Sequence, residues 1–314
     1  FIMSALGAFF GVWLGLVLTT PPTPFPLGVP FAVAGPGFDT GWRVMYIIGA
    51  VLALVGVLLR FQIPESPRWL ISRGRIEDAH RVVDAMEARA ARRGTLPAPD
   101  SSVQVEVTTA PRISYLDILG SQLYLRRTGL LLAVWFTGYM TVYAYAVGLT
   151  VALVTLGYPA PEAGLIVAVG TLGFIACAVF AFIWGELLER KHWLPVAAAI
   201  TVVGAIILGL AAHNLAVAFI GSLVIFFGFN VWVPMTYSWS TESFPTRART
   251  SGFALVDGVG HLGGGVGQLV VAPLIPVLGP LSSMLLISAF LVISSGIAQL
   301  GTGTRNKRLD FLSP

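Results

Sequence analysis

Asp257 and His261 lie four residues apart in an otherwise apolar, glycine-rich run from about residue 251 to 273. At that spacing two side chains share one face of a helix, and Gln268 falls on roughly the same stripe. Asp257 is the only acidic residue, and His261 the only histidine, within any of the long apolar runs. An ionisable group inside such a run is costly in lipid, so function is the default expectation for it. Protonated imidazole can bind an anion, or it can relay a proton with the neighbouring carboxylate. The structural alternative is a neutral imidazole hydrogen-bonded across helices. Asp257 lies six residues into its run, roughly 9 Å at 1.5 Å per residue, with His261 closer to the middle.

Two further runs carry polar or aromatic groups at helical spacing. Trp135, Tyr139 and Tyr143 recur at i, i+4 and i+8 and share one face. Facing a cavity they offer stacking area and two hydroxyls to an organic solute; facing lipid or another helix they are packing. Asn230, Pro234 and Tyr237 share a face of another run. A mid-run proline frees a carbonyl and permits a bend, and Asn230 can bind a solute or join two helices. Six charges, Glu65, Arg68, Glu189, Arg190, Glu242 and Arg249, fall at the ends of apolar runs. Carboxylate and guanidinium groups placed there can pair and separate as a gate, or they can be solvated charges that only set orientation.

Enzymatic chemistry is not expected. The four histidines, His80, His192, His213 and His261, are scattered over different loops and depths, and the single cysteine, Cys177, has no partner for a disulfide or a metal. No cofactor or metal site is expected. The glycines from Gly258 to Gly267 follow no strand and lie within an apolar run, so they do not read as a phosphate loop. They read as small residues that let helices approach closely.

The elements that must hold these groups are helices across a bilayer. The 314-residue chain is 56% hydrophobic and 11% charged, with mean hydropathy +0.82, against roughly 25% charged for a soluble domain. Apolar runs about 20 residues long match the hydrocarbon thickness of a bilayer. Eight spans are expected: 1–20, 44–63, 128–156, 163–185, 194–212, 215–239, 251–273 and 281–300. Ten arginines, Arg68 to Arg127, crowd the 64–127 segment. Alternation of eight spans puts these on one side with Arg60, Arg190, Lys191, Arg247, Arg249, Arg305, Lys307 and Arg308, leaving only Arg43 opposite. By the positive-inside rule that side is cytoplasmic, as are both chain ends. Topology thereby accounts for the net charge of +4, and no nucleic-acid partner is expected. Ile76 to Arg92 has the periodicity of a surface helix, and residues 94–112 read as a linker.

Three stretches carry a resemblance. Gly41-Trp42-Arg43 precedes Pro64-Glu65-Ser66-Pro67-Arg68-Trp69-Leu70 and Arg73-Gly74-Arg75. Glu242-Ser243-Phe244-Pro245-Thr246 is followed by Arg249 and Gly252. Gly185, Leu188, Glu189, Arg190 and Lys191 are a degraded G-x-x-x-D-R loop. Together they resemble the sugar-porter-like branch of the major facilitator superfamily. The third span, Trp135 to Tyr143, looks more like the organic-ion, aromatic-acid and niacin-type relatives. The resemblance implies an all-α membrane fold in which these spans are helices five to twelve of twelve. Phe1 opens inside an apolar run, so an N-terminally truncated chain is expected. Residues 1–63 would be the last two helices of the first half and 64–127 the cytoplasmic loop. Residues 128–301 would be the second half and 302–314 a cytoplasmic tail. The implied activity is secondary transport of a small organic acid, ion or sugar-like solute by alternating access, with protons as coupling ion. The implied setting is a multi-pass monomer in the plasma (inner) membrane. Trp135, Tyr139, Tyr143, Asn230, Tyr237, His261 and Gln268 would touch solute, Asp257 and His261 would couple protons, and the six run-end charges would form the cytoplasmic gate. A non-transporting receptor or scaffold on the same fold is the alternative.

Overall fold

A computed structural model describes residues 2–19, 41–92, 94, 119–245 and 248–305. Eight helices among them are long and apolar enough to cross a membrane. The Pro-rich loop from Pro21, the linker after Gly94, Thr246-Arg247 and the tail after Arg305 lie outside the described residues.

The chain divides into two compact units. One comprises residues 46–112. It contains most of α2 (Gly41–Arg60), the short α3 (Pro67–Ser72) and the surface helix α4 (Ile76–Ala91). Helix α4 starts at the residue that periodicity indicates and ends one residue short of Arg92, which caps it; α3 carries no such signal. Pro67 starts α3 because a proline at N1 lacks only an N–H that would be unsatisfied anyway. Apart from Gly41, no α2 side chain is buried, and Tyr46, Ile47 and Leu52 are widely exposed, as a lipid-contacting helix permits.

The other unit carries the candidate site. Its helices are α1 (Ile2–Thr19), α5 (Gln122–Ala146), α6 (Leu149–Thr155), α7 (Ala160–Gly170), α8 (Leu172–Trp184), α9 (Arg190–Gly209), α10 (Leu215–Glu242), α11 (Arg249–Val271) and α12 (Ile275–Gln299). Two starts are capped by side chains, since the first backbone N–H groups of a helix lack partners. The Asn214 amide oxygen accepts from Val217 N, and the Glu189 carboxylate accepts from Arg190 N.

Three spans depart from expectation. The run 163–185 divides at Thr171 into α7 and α8. The run 128–156 is one span by hydropathy but divides at Val147-Gly148 into α5 and α6. The last span begins at Ile275 rather than 281. Gly279 (φ +73°) precedes Pro280 and kinks the chain inside α12. A left-handed φ is cheap only without a Cβ, so glycine allows helix on both sides of the bend.

Helix α5 is held on two sides. Toward α12, Thr141 donates to the Ile287 carbonyl (2.6 Å), Ser294 to that of Val134 (2.7 Å), and Tyr145 to that of Met284 (2.7 Å). Toward α11, the glycine face permits backbone contact. A Cβ at Gly263 would overlap the Phe136 carbonyl, and one at Gly264 the Tyr143 ring. These two interfaces set the rotation of α5, and with it the direction of its aromatic face.

Candidate functional site

Asp257 and His261 on α11 meet the aromatic face of α5 and Tyr237 of α10. The Tyr139 hydroxyl donates to Asp257 Oδ1 at 2.6 Å and lies 3.3 Å from the Tyr237 hydroxyl. Either hydroxyl can be the donor in the second contact. His261 Nδ1 lies 2.7 Å from the Asp257 carbonyl oxygen and 3.7 Å from Asp257 Oδ1. The His261 ring packs 4.2 Å from that of Tyr139 and 5.8 Å from that of Tyr143. Thus Tyr139, Tyr143, Tyr237, Asp257 and His261, chosen from three separate spans, converge on one cluster.

The remaining expected solute contacts are placed differently. Trp135 is fully buried. Its indole N–H donates to Ser240 Oγ at 2.9 Å, and its ring lies 4.9 Å from both Tyr139 and Tyr237. In this conformation it backs the two tyrosines, an orientation that the glycine contacts of α5 with α11 help to set. Gln268 donates to the Tyr143 carbonyl at 2.8 Å. That carbonyl also accepts from Val147 N (3.0 Å) and Gly148 N (3.2 Å) at the α5 terminus, so Gln268 adds a side-chain donor that ties α11 to the α5–α6 break. Asn230 is buried, with no hydrogen bond to its amide nitrogen among the described residues.

The run-end charges form local clusters. Glu65 pairs with Arg60 at 3.3 Å, both exposed. Arg68 lies in α3, but its side chain is outside the described part of the structure. Arg190 pairs with Glu186 (2.8 Å) and with Glu242 (3.6 Å). Arg249 starts α11. Glu189 and Glu242 do something the sequence did not suggest: they hold the segment after α12. Glu189 Oε1 accepts from Thr304 N (2.8 Å) and Arg305 N (3.1 Å), and Thr304 Oγ1 donates to Glu242 Oε2 (2.5 Å). Lys191 Nζ donates to the Gly301 carbonyl (2.8 Å) and Trp239 Nε1 to that of Thr302 (2.9 Å). Burial raises the Glu189 carboxyl, but the N–H groups of Thr304, Arg305 and Arg190 outweigh it and hold the group below its usual range. No spacing rule flags this strap, because most of its bonds pair a side chain with a backbone group of residues 301–305.

Comparison with known proteins follows the same lines. A family model described as "Sugar (and other) transporter" matches residues 1–302. The chain is 27% identical over 274 residues to a niacin transporter of Acinetobacter baylyi, covering 87% of this chain and 61% of that one. It is 25% identical over 259 residues to human solute carrier family 22 member 13, covering 76% and 41%. Among solved structures, a proton:xylose symporter of the major facilitator superfamily bound to 6-bromo-6-deoxy-D-glucose superposes with TM-score 0.65 at 19% identity. That match covers 99% of this chain and 66% of the symporter. The chain therefore spans about three fifths of the niacin transporter's length.

Proposed function

Because the chain belongs to the sugar (and other) transporter family, within the major facilitator fold, we propose that it serves secondary active transport of a small organic solute by alternating access. The coupling ion in this reading is the proton. The observation that carries it is a carboxylate well inside a candidate membrane span, Asp257, bonded to the Tyr139 hydroxyl and 3.7 Å from an imidazole. Proton binding to such a pair changes the charge of the solute-facing cluster, and a charge change is what can bias one conformation over another. The relatives are transporters and not enzymes, and the chain is an integral, multi-pass membrane protein.

Finer features belong to the same proposal. Residues 1–63 act as two helices of one half and 128–301 as the other half, joined by the cytoplasmic loop 64–127. Both ends face the cytoplasm, the membrane is the plasma membrane, and the protein is a monomer. Asn230 and Trp135 reach the solute only after α5 and α10 move. Arg190, Glu189, Glu242 and Arg249 gate the cytoplasmic side through the strap that Thr304 closes.

The full-length protein, purified and reconstituted in proteoliposomes, tests the reading, because the chain spans about three fifths of the niacin transporter's length. Labelled organic solutes should accumulate under an imposed proton gradient and stop accumulating when it is collapsed. Asp257→Asn should abolish gradient-driven accumulation while solute exchange persists. Concentrative uptake by Asp257→Asn equal to that of the wild type would rule out this carboxylate as the coupling group.

A further inference from the structure

We propose that the 46–112 unit holds a binding site for one anionic phospholipid, with its phosphate among Arg75, Arg81 and Arg89 and its glycerol and acyl part on the apolar lining beside them. The site depends on the membrane spans and on neither the solute nor the coupling ion.

A chain reversal builds the site. Helix α2 ends at Arg60, and the chain passes through Pro64 and Glu65 into α3. Gly74 then takes a left-handed φ of +74°, the Arg75 N–H donates to the Leu70 carbonyl at 2.9 Å, and α4 starts at the next residue. Asp78, Arg81, Val82, Ala85, Met86 and Arg89 follow the spacing of one helix face, and that face lies across from residues 62–65. Between them is a cavity of about 660 Å³, within the range of small-molecule sites, roughly 300–1,000 Å³. Ile63, Leu70, Val82 and Met86 supply its apolar lining; Arg75, Arg81 and Arg89 supply its positive charge.

The acids of this cavity are already engaged. Asp78 carries two guanidiniums, Arg75 at 2.6 Å and Arg81, and Glu65 pairs with Arg60 at 3.3 Å. Four guanidiniums thus stand against two carboxylates, with Arg89 the further cation of the lining. A phosphate suits that surplus, because guanidinium forks match its oxygens. Depth says which phosphate. Helix α2 has 20 residues, about 30 Å at 1.5 Å per residue, which is the thickness of the hydrocarbon core. Residues 62–65 therefore come at headgroup level. Leu58, Leu59, Phe61 and Ile63 are all more than half exposed, so an apolar track runs from the surface of the span into the cavity. A phospholipid matches both ends of that track. Basic clusters beside a span attract anionic lipid in general; the cavity adds a seat for one molecule, which charges that only set orientation do not need.

Native mass spectrometry of the full-length protein in detergent tests this, with phosphatidylglycerol and phosphatidylcholine as probes. Phosphatidylglycerol should appear as a one-to-one adduct bound about tenfold or more tighter than phosphatidylcholine. The double variant Arg81→Gln/Arg89→Gln should lose that preference. Arg92→Gln, which removes a charge of the same helix outside the cavity lining, should keep it. Ala85→Trp fills the cavity with every arginine in place and should abolish the adduct, which decides the matter even if the double variant folds poorly. Glycerol phosphate, the same headgroup chemistry without acyl chains, should not displace the lipid at equal concentration. Equal retention of the two lipids, or an undiminished adduct in Ala85→Trp, overturns the proposal. So does a loss in Arg92→Gln as large as that in the double variant, which would make the attraction one of diffuse charge. Displacement by glycerol phosphate overturns the lipid assignment in favour of a soluble phosphate compound. Lipid retention is read without any solute, so its failure leaves the transport reading untouched.

Discussion

At the scale of single residues, Tyr139 is the hinge of the cluster. It is buried, it is the hydrogen-bond donor to Asp257, and its ring packs tilted against that of His261. Tyr139→Phe keeps the ring and removes the donor. A hydrogen bond to a charged group contributes about 1.5–3 kcal/mol, and the half-buried carboxylate loses a compensating dipole. Proton-driven uptake should therefore fall by about tenfold or more, while the expressed, folded amount changes little. Unaltered uptake kinetics would show that Asp257 does not depend on this donor. Tyr139 was legible as a candidate from its spacing with Trp135 and Tyr143. Its role was not, because the face of α5 is decided by glycines 120 or more residues away. The spacing left Trp135 facing either a cavity or another helix, and the structure shows it fully buried against Tyr139 and Tyr237.

At the scale of elements, two interfaces invite measurement. The α5–α11 contact depends on glycine at Gly263, where a Cβ would overlap the Phe136 carbonyl, whereas nothing lies within 4 Å of a Cβ at Gly265. Gly263→Val should lower the melting temperature in detergent by an amount equivalent to about 1–3 kcal/mol, and Gly265→Ala should leave it nearly unchanged. Equal effects at both positions would mean that close approach is not what the glycines provide. The second interface is the strap after α12. The folded-state pKa of Glu189 is depressed, so its contribution to stability is present above the unfolded carboxylate value and is lost as pH falls through the folded one. Stability should drop on acidification below the usual Glu range, about 4.3, and Glu189→Gln should be less stable at neutral pH and flatter with pH. A thermal-shift series on both proteins measures this. Glu189 was marked in the sequence as a loop-motif charge; its partners, the N–H groups of residues 304 and 305, have no residue-type signature.

At the scale of the whole molecule, orientation is the open measurable. In a background with Cys177 replaced, Gly94→Cys should react with a membrane-impermeant maleimide from the cytoplasmic side, and Glu162→Cys from the opposite side. The reverse pattern would invert the topology. The eight spans, the surface helix over α4 and the family were all readable in advance. Hydropathy and loop charge accumulate residue by residue along the chain, and a bilayer responds to those local sums. What only the tertiary structure decided is which groups meet. Tyr139 and Asp257 are 118 positions apart, Thr304 and Glu189 are 115 apart, and the break at Val147-Gly148 lies inside a continuous apolar run. Partner choice depends on helix rotation and close backbone approach. Those come from side-chain volume on neighbouring helices, a property of pairs that no single stretch of sequence contains.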